Sequence, residues 1–300
     1  MTEFVERFRS EEDCAAYLAQ VRWPGGFRCP RCGHGQAWTV RRGRHVCRRC
    51  RSETSVIAGT IFQDTRKPLV QWFQAIWHIT NQKQGVSALG LQRALGLGSY
   101  HTAWNWLHKL RRAMVRPGRD RLSGLVEADE IFIGGERAGK PGRGAAGKTL
   151  VLVMAQEVAP SKIGRIRLRR IADAAMMTIH EALEEEVELG STVRTDGWRG
   201  YNNLEMIGYE HLIVRKDASI GGDPLPLVGR VASLLKRWPI GTHQGAPRSS
   251  HLDYYLDEFA FRFNRRTSRS RGLLFHRLIE QAVAVGPWTQ NDIRGGFAVQ

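Results

Sequence analysis

The chain has 300 residues, with 45 Lys and Arg against 29 Asp and Glu, for a formal net charge of +16. Its 42% hydrophobic content and nine Trp suit about two packed domains and exclude a disordered chain. A pI near 10.3 favours a polyanionic partner, nucleic acid before a membrane surface, and no apolar run is long enough to span a bilayer. The Met1–Arg7 segment lacks a basic start followed by an apolar stretch, so no secretory leader is expected. Four of the five cysteines form two tight pairs, which points to a reducing compartment and metal binding over disulfides.

Residues 1–60 read as an N-terminal helix followed by a metal-binding ribbon. Ser10 caps a helix over residues 10–22, with Asp13 in the place of a capping-box Glu and Cys14 in the core. Cys29-Pro30-Arg31-Cys32 and Cys47-Arg48-Arg49-Cys50 are separated by fourteen residues. Each pair forms a knuckle that aims two sulfurs at one ion, the pattern of a tetrahedral structural Zn²⁺ site. Two disulfides or a redox dithiol are the competing readings. Strands are expected at Ala37–Val40 and His45-Val46. Eight arginines and no acidic residue lie between Arg28 and Arg51, which suits phosphate contact by Arg41, Arg42, Arg44, Arg48 and Arg49.

Residues 61–120 carry three helical signals, at 68–82, at Ala88–Leu95 and from Ser99 or Tyr100 to about Val115. The last two, joined through Gly96-Leu97-Gly98, fit a helix-turn-helix whose second helix would present Tyr100, His101, Asn105, His108, Lys109, Arg111 and Arg112 to double-stranded DNA. An ordinary helical hairpin packed on a core fits the same pattern.

Residues 121–285 read as an α/β domain, with a tail over 286–300. The strand Val126-Glu127-Ala128-Asp129-Glu130-Ile131-Phe132-Ile133 sends Glu127, Asp129 and Ile131 to one face and Val126, Ala128 and Glu130 to the other. Acids are depleted in strands, so Asp129 and Glu130 mid-strand suggest a divalent metal beside a polyanion, against the alternative of a solvated edge. After a basic loop over 139–148, expected near phosphate, come strands at Thr149–Ala155, Gly164–Ile171, Ser191–Asp196 and His211–Val214. A helix of about Ala174–Val187 separates the second and third of these. Asp196 ends its strand before Gly197, facing a crevice at the carboxyl edge of the sheet. If its strand adjoins that of Asp129, the two carboxylates can share a metal. Farther on, Arg262, Arg265, Arg266, Arg269 and Arg271 form a second basic run, expected to contact phosphate, with Arg265 and Arg266 on DNA.

Val126–Gly135, Thr195-Asp196-Gly197-Trp198-Arg199-Gly200-Tyr201, Leu235-Lys236-Arg237-Trp238 with Gly241-Thr242-His243, and Tyr255–Phe259 with Phe261-Arg262-Phe263-Asn264-Arg265-Arg266 together resemble one family. It is the bacterial DDE-type insertion-sequence transposases with an N-terminal zinc ribbon and an RNase H-like, ISXO-like catalytic domain. The resemblance implies a mixed sheet with flanking helices, binding of terminal inverted repeats and target DNA, and strand cleavage and transfer supported by Mg²⁺ or Mn²⁺. It implies Asp129 bridging two ions, Asp196 on one, Lys236 on nearby phosphates, at least a dimer on DNA, and a cytoplasmic, nucleoid-associated protein. The third ligand of the family lies seven residues before the lysine and is Glu, Asn or His; here it is Gly229. Three readings stay open: another group such as Asp223 or His243 swings in, water fills the place with loss of rate, or the copy is an inactive DNA-binding relic. A metal-dependent nuclease that cuts without joining is the other rival.

Overall fold

The computed structural model describes residues 2–40, 43–116, 118–134, 148–215, 223–243, 245 and 247–295. Two compact units divide the chain, one of Met1–Pro117 with Ser268–Arg294 and one built on Gly118–Thr267.

In the first unit, α1 (Thr2–Arg7) and α2 (Glu11–Arg22) precede an antiparallel ribbon of β1 (Ala37–Val40), β2 (Arg44–Cys47) and β3 (Glu53–Ser55) in that order. The expected capping box is present: the Asp13 N–H donates to Ser10 Oγ at 3.1 Å and the Ser10 N–H to Asp13 Oδ2 at 3.0 Å. Helices α3 (Leu69–Asn81), α4 (Ala88–Leu95) and α5 (Tyr100–Ala113) stand where the sequence puts them, bounded by Pro68, Ser87, Gly96 and Ser99. Pro68 gives α3 no side-chain cap, and Glu11 supplies one from α2, accepting the N–H groups of Leu69 at 2.8 Å and Val70 at 3.3 Å.

Helix α9 (Arg271–Ala284) corrects the reading that the α/β domain runs to residue 285. It packs on α2, α3 and α5 in the first unit. Phe275 is the reason: it meets Phe4, Phe8 and Phe73 at 5.4, 5.5 and 5.6 Å between ring centroids, and burial of large rings dominates the energy of such a junction.

The second unit is a five-stranded sheet of β4 (Leu125–Ile133), β5 (Thr149–Ala159), β6 (Lys162–Ile171), β7 (Thr192–Thr195) and β8 (Glu210–Ile213). Their spatial order is β6-β5-β4-β7-β8, antiparallel from β6 to β4 and parallel from β4 to β8. This is the RNase H-like arrangement of a mixed sheet. Helix α6 (Met176–Glu186) makes the crossover from β6 to β7 and packs Ile179, Ala182 and Leu183 against Val126, Ala128, Leu152 and Val193 on one face. On the other face α7 (Pro226–His243) and α8 (Leu252–Phe263) bury Val228, Val231, Leu235, Leu256 and Phe259 against Ile131, Val151 and Val153. Alternation along β4 therefore separates two cores, with Glu127 and Asp129 on the side of α7.

Strand β6 is the outer edge of this sheet, and the Phe261–Arg266 segment covers it. Asn264 pairs with Ile166 as a strand would: its Oδ1 accepts the Ile166 N–H at 2.7 Å and its Nδ2 donates to the Ile166 carbonyl at 3.1 Å. An edge so occupied is closed to pairing with another chain.

Candidate metal centres and nucleic-acid interface

The cysteines of the ribbon converge. Sγ of Cys29 lies 3.6 Å from that of Cys50, Sγ of Cys32 lies 3.6 Å from that of Cys47, and all four sulfurs fall within 4.8 Å of one another. A tetrahedral ion with Zn–S of about 2.3 Å needs sulfurs about 3.8 Å apart, so the site fits Zn²⁺ with a small adjustment. The two knuckles repeat one backbone design. Gly33 donates to the Cys29 carbonyl at 2.9 Å and Arg51 to that of Cys47 at 3.1 Å, both in the left-handed region at φ +71° and +59°. Within this cluster of touching thiols the N–H groups of Cys50 and Arg49 pull Cys47 down to about 6, while, against the N–H of His34, desolvation and the neighbouring sulfurs push Cys32 up to about 11. His45 is not a spare ligand; it packs on Trp23 and Phe27. Cys14 is fully buried in α2, and burial holds its thiol up at about 12.

The second centre is built on the junction of β4 and β7. These strands run parallel with Glu127 opposite Arg194, and the pair is joined by an ion pair of 3.1 Å. The pairing ends there; Asp129 stands two residues farther along β4, and Asp196 two residues beyond Arg194, just past the end of β7. Asp129 is half-buried and its Oδ1 accepts the Glu130 N–H at 2.8 Å. Asp196 is exposed at the strand end, its Oδ1 accepting the Trp198 N–H at 2.9 Å. The rest of the Asp196–Tyr201 segment serves this placement. Gly197 has φ +82°, and a Cβ there would come 2.6 Å from Ile213 Cγ2. Trp198 donates its indole N–H to the Ala174 carbonyl at 3.2 Å, and a Cβ on Gly200 would meet that same carbonyl at 2.6 Å. Tyr201 is thereby driven under the site, fully buried. Burial, then the carboxylates of Glu130, Asp129 and Asp196, push its phenol well above the usual range.

Glu127 is the residue whose role sequence reasoning missed. Fully buried, its Oε2 accepts the N–H groups of Leu227 at 2.7 Å and Val228 at 3.0 Å, while Oε1 accepts from Arg194. It caps the first turn of α7 and pins that helix to β4 two positions from Asp129. Position 229 is the next residue of that turn. Lys236 is exposed on α7 two turns along the same face. Oxygen donors on a rigid strand fit a hard divalent cation such as Mg²⁺ or Mn²⁺. Among the described residues, only the four cysteines bring three or more ligand atoms of His, Cys, Asp or Glu onto one point.

Comparison with known proteins matches these two centres to two descriptions. Residues 9–53 match the family described as "Transposase zinc-ribbon domain", and residues 121–264 match "ISXO2-like transposase domain". Residues 121–264 are thus an ISXO2-like transposase domain, and residues 9–53 a transposase zinc ribbon. A relative from Halobacterium salinarum, described as an uncharacterized protein in transposable element ISH50, is 28% identical over 306 residues, covering 89% of this chain and 95% of its own. Two solved structures are more distant. A pre-cleavage Mos1 transpososome has 13% identity and a TM-score of 0.28 over 73% of this chain and 80% of its own. A simian T-cell lymphotropic virus intasome in complex with PP2A regulatory subunit B56 gamma has 15% identity and a TM-score of 0.29 over 56% of this chain and 63% of its own, just under two thirds.

The basic residues expected to meet DNA divide sharply in this chain. Arg41 and Arg42 lie outside the described residues, as does the 139–148 loop apart from Lys148. On the ribbon, Arg48 and Arg49 are exposed, Arg48 and Arg51 stack over the partly exposed Trp38 at 5.6 and 4.4 Å, and Arg44 pairs with Glu53 at 2.9 Å. On α5, Tyr100 and His101 are exposed, but the rest of the expected face turns inward. His108 and Arg111 are buried, Asn105 is half-buried, Arg112 stacks over Trp288 at 5.4 Å, and Lys109 donates to the Ile61 carbonyl at 3.5 Å with burial lowering its pKa. The cause is packing: α5 is enclosed by α4 and α9, so the ordinary helical-hairpin reading describes its C-terminal half. In the second unit, Arg265 stacks over Phe261 at 4.0 Å. Arg266, over Phe263 at 4.2 Å, donates to the carbonyls of Ile163 and Gly164 on β6. The work of Arg266 is to hold α8 to the sheet edge. Glu258 is buried and paired with Arg262, as its spacing on α8 suggests.

Proposed function

We propose that this chain is the DNA transposase of an insertion sequence, cutting at terminal inverted repeats and joining the freed ends to target DNA. The observation that supports the reading is the parallel pairing of β4 with β7, in which Glu127 lies opposite Arg194 and Asp129 and Asp196 each follow two residues on, with Glu127 pinning the first turn of α7. Asp129 and Asp196 would hold Mg²⁺ or Mn²⁺, and Lys236 would steady the phosphates. When bound, such ions supply charge stabilisation of the entering and leaving oxygens in an in-line displacement at phosphorus.

In the first step a water oxygen forms a bond to phosphorus as the bond to the 3′ oxygen breaks; the water gives up a proton and the departing oxygen gains one. In the second, that 3′ hydroxyl attacks a target phosphorus, and the target's own 3′ oxygen leaves. One phosphodiester is made for each broken, so the joining needs no external energy source. The basic ribbon, with Arg44, Arg48, Arg49 and the Trp38 platform, is the surface best suited to hold duplex backbone. Synapsis of two ends calls for at least a dimer on DNA, in the cytoplasm at the nucleoid.

The test supplies a pre-cleaved inverted-repeat end with a free 3′ hydroxyl and plasmid target, with Mg²⁺ or Mn²⁺. Joined product that disappears with Asp129→Asn and Asp196→Asn supports the reading. Cleavage of uncut ends without joining would favour a nuclease, and specific DNA binding with neither reaction would favour a non-catalytic relic.

A further inference from the structure

The ISXO2-like pattern asks for a ligand at position 229, and this chain has glycine there. The place is nevertheless filled. A Cβ built on Gly229 would lie 1.9 Å from Oδ2 of Asp223 and 3.1 Å from its Cγ, so the Asp223 carboxylate stands where a side chain at 229 would begin. Its other oxygen, Oδ1, accepts the Leu225 N–H at 3.0 Å, which holds the group on the approach to α7. Asp223 is exposed, so an ion can reach it. Glu127 fixes the turn that carries Gly229 to β4, two positions from Asp129.

We propose that Asp223 supplies the third metal ligand in place of residue 229, so that the missing side chain is a relocation and not a loss. Any Cβ at 229 would push the Asp223 carboxylate out of this position. Asp129 and Asp196 would hold the metal together with Asp223, which would supply the oxygen donor that the family pattern draws from position 229. The inference rests on the metal-dependent transposase reading and adds a ligand to it.

The test is Mn²⁺ titration of the zinc-loaded full chain by calorimetry and by electron paramagnetic resonance, beside the cleavage and joining assays. Asp223→Asn keeps the acceptor for Leu225 and the fold, and zinc content with circular dichroism checks both. The expected result is Mn²⁺ affinity reduced at least about tenfold, with one fewer tight site, and loss of joining. Asp223→Ala should behave alike, Gly229→Glu alone should gain nothing, and the Asp223→Ala/Gly229→Glu double variant should recover Mn²⁺ binding. If Asp223→Asn binds Mn²⁺ and joins DNA as the wild type does while Asp129→Asn does not, Asp223 is no ligand and the transposase reading stands. If wild type and Asp129→Asn bind Mn²⁺ equally poorly and neither cleaves, both the ligand and the metal-dependent reading fall.

Discussion

The carboxylate of Glu127 stands 2.7 Å from the backbone nitrogen of Leu227, across one hundred residues of chain. It is the buried peg on which α7 hangs. Glu127→Ala would strand two helix N–H groups and remove a partner of Arg194, at a cost of about 3 kcal/mol in urea unfolding of the full chain. Activity lost in parallel with stability would be uninformative; loss of joining at temperatures where the variant remains folded is the expected outcome.

The same residue predicts a pH dependence. Burial, opposed by the N–H groups of Val228 and Leu227 and by Arg194, raises the Glu127 pKa above 4.5. Folding therefore favours the protonated form, and its contribution is complete below 4.5 and is lost as pH rises through the raised native value. Measured against Glu127→Gln, which does not titrate, the wild type should lose stability between pH 4.5 and neutrality. A flat difference across that window would contradict the burial argument.

At the second zinc knuckle, Arg51 occupies a left-handed conformation that the first knuckle gives to Gly33. Arg51→Gly should relieve on the order of 1 kcal/mol of backbone strain. It should also remove the stack on Trp38 and weaken DNA binding with a shallower salt dependence. Arg266→Ala is the contrast. Its guanidinium is committed to β6, so it should lower the melting temperature while leaving the salt slope of DNA binding unchanged.

Asn264→Ala would remove both hydrogen bonds to Ile166, with an expected loss of about 2 kcal/mol. Asn264→Asp keeps the acceptor for the Ile166 N–H but cannot donate to its carbonyl, so it should not restore stability. With the edge of β6 uncovered, concentration-dependent association in sedimentation experiments is the further expectation.

Much of this was legible in the sequence, for reasons that can be named. The helices at Leu69–Asn81, Ala88–Leu95 and Tyr100–Ala113 are punctuated by Pro68, Ser87, Gly96 and Ser99, each a local signal independent of tertiary context. The paired cysteines declare their geometry through spacing alone. Strand alternation gave the face of Asp129, while the adjacency of the strand leading to Asp196 stood only as a condition until the pairing of β4 with β7 supplied it. What stayed hidden depends on partners far along the chain. A charged side chain does not announce whether it will meet phosphate or a carbonyl, which is why Lys109, Arg112 and Arg266 were placed on DNA and turned inward. Glu127 looked like one more acid of a metal-binding strand, and only the position of α7 reveals it as a cap. The amphipathic stripe of α9 says that it packs, not on which core.

The nesting of the two units has a consequence for synthesis. Ser268–Arg294 completes the first unit, yet the ribosome delivers it only after the whole stretch of Gly118–Thr267. Until then Phe4, Phe8 and Phe73 wait for the ring of Phe275 with their greasy flank open. The later-made catalytic body can settle first while its older neighbour is still unfinished, and that interval is when a nascent chain most needs chaperone protection.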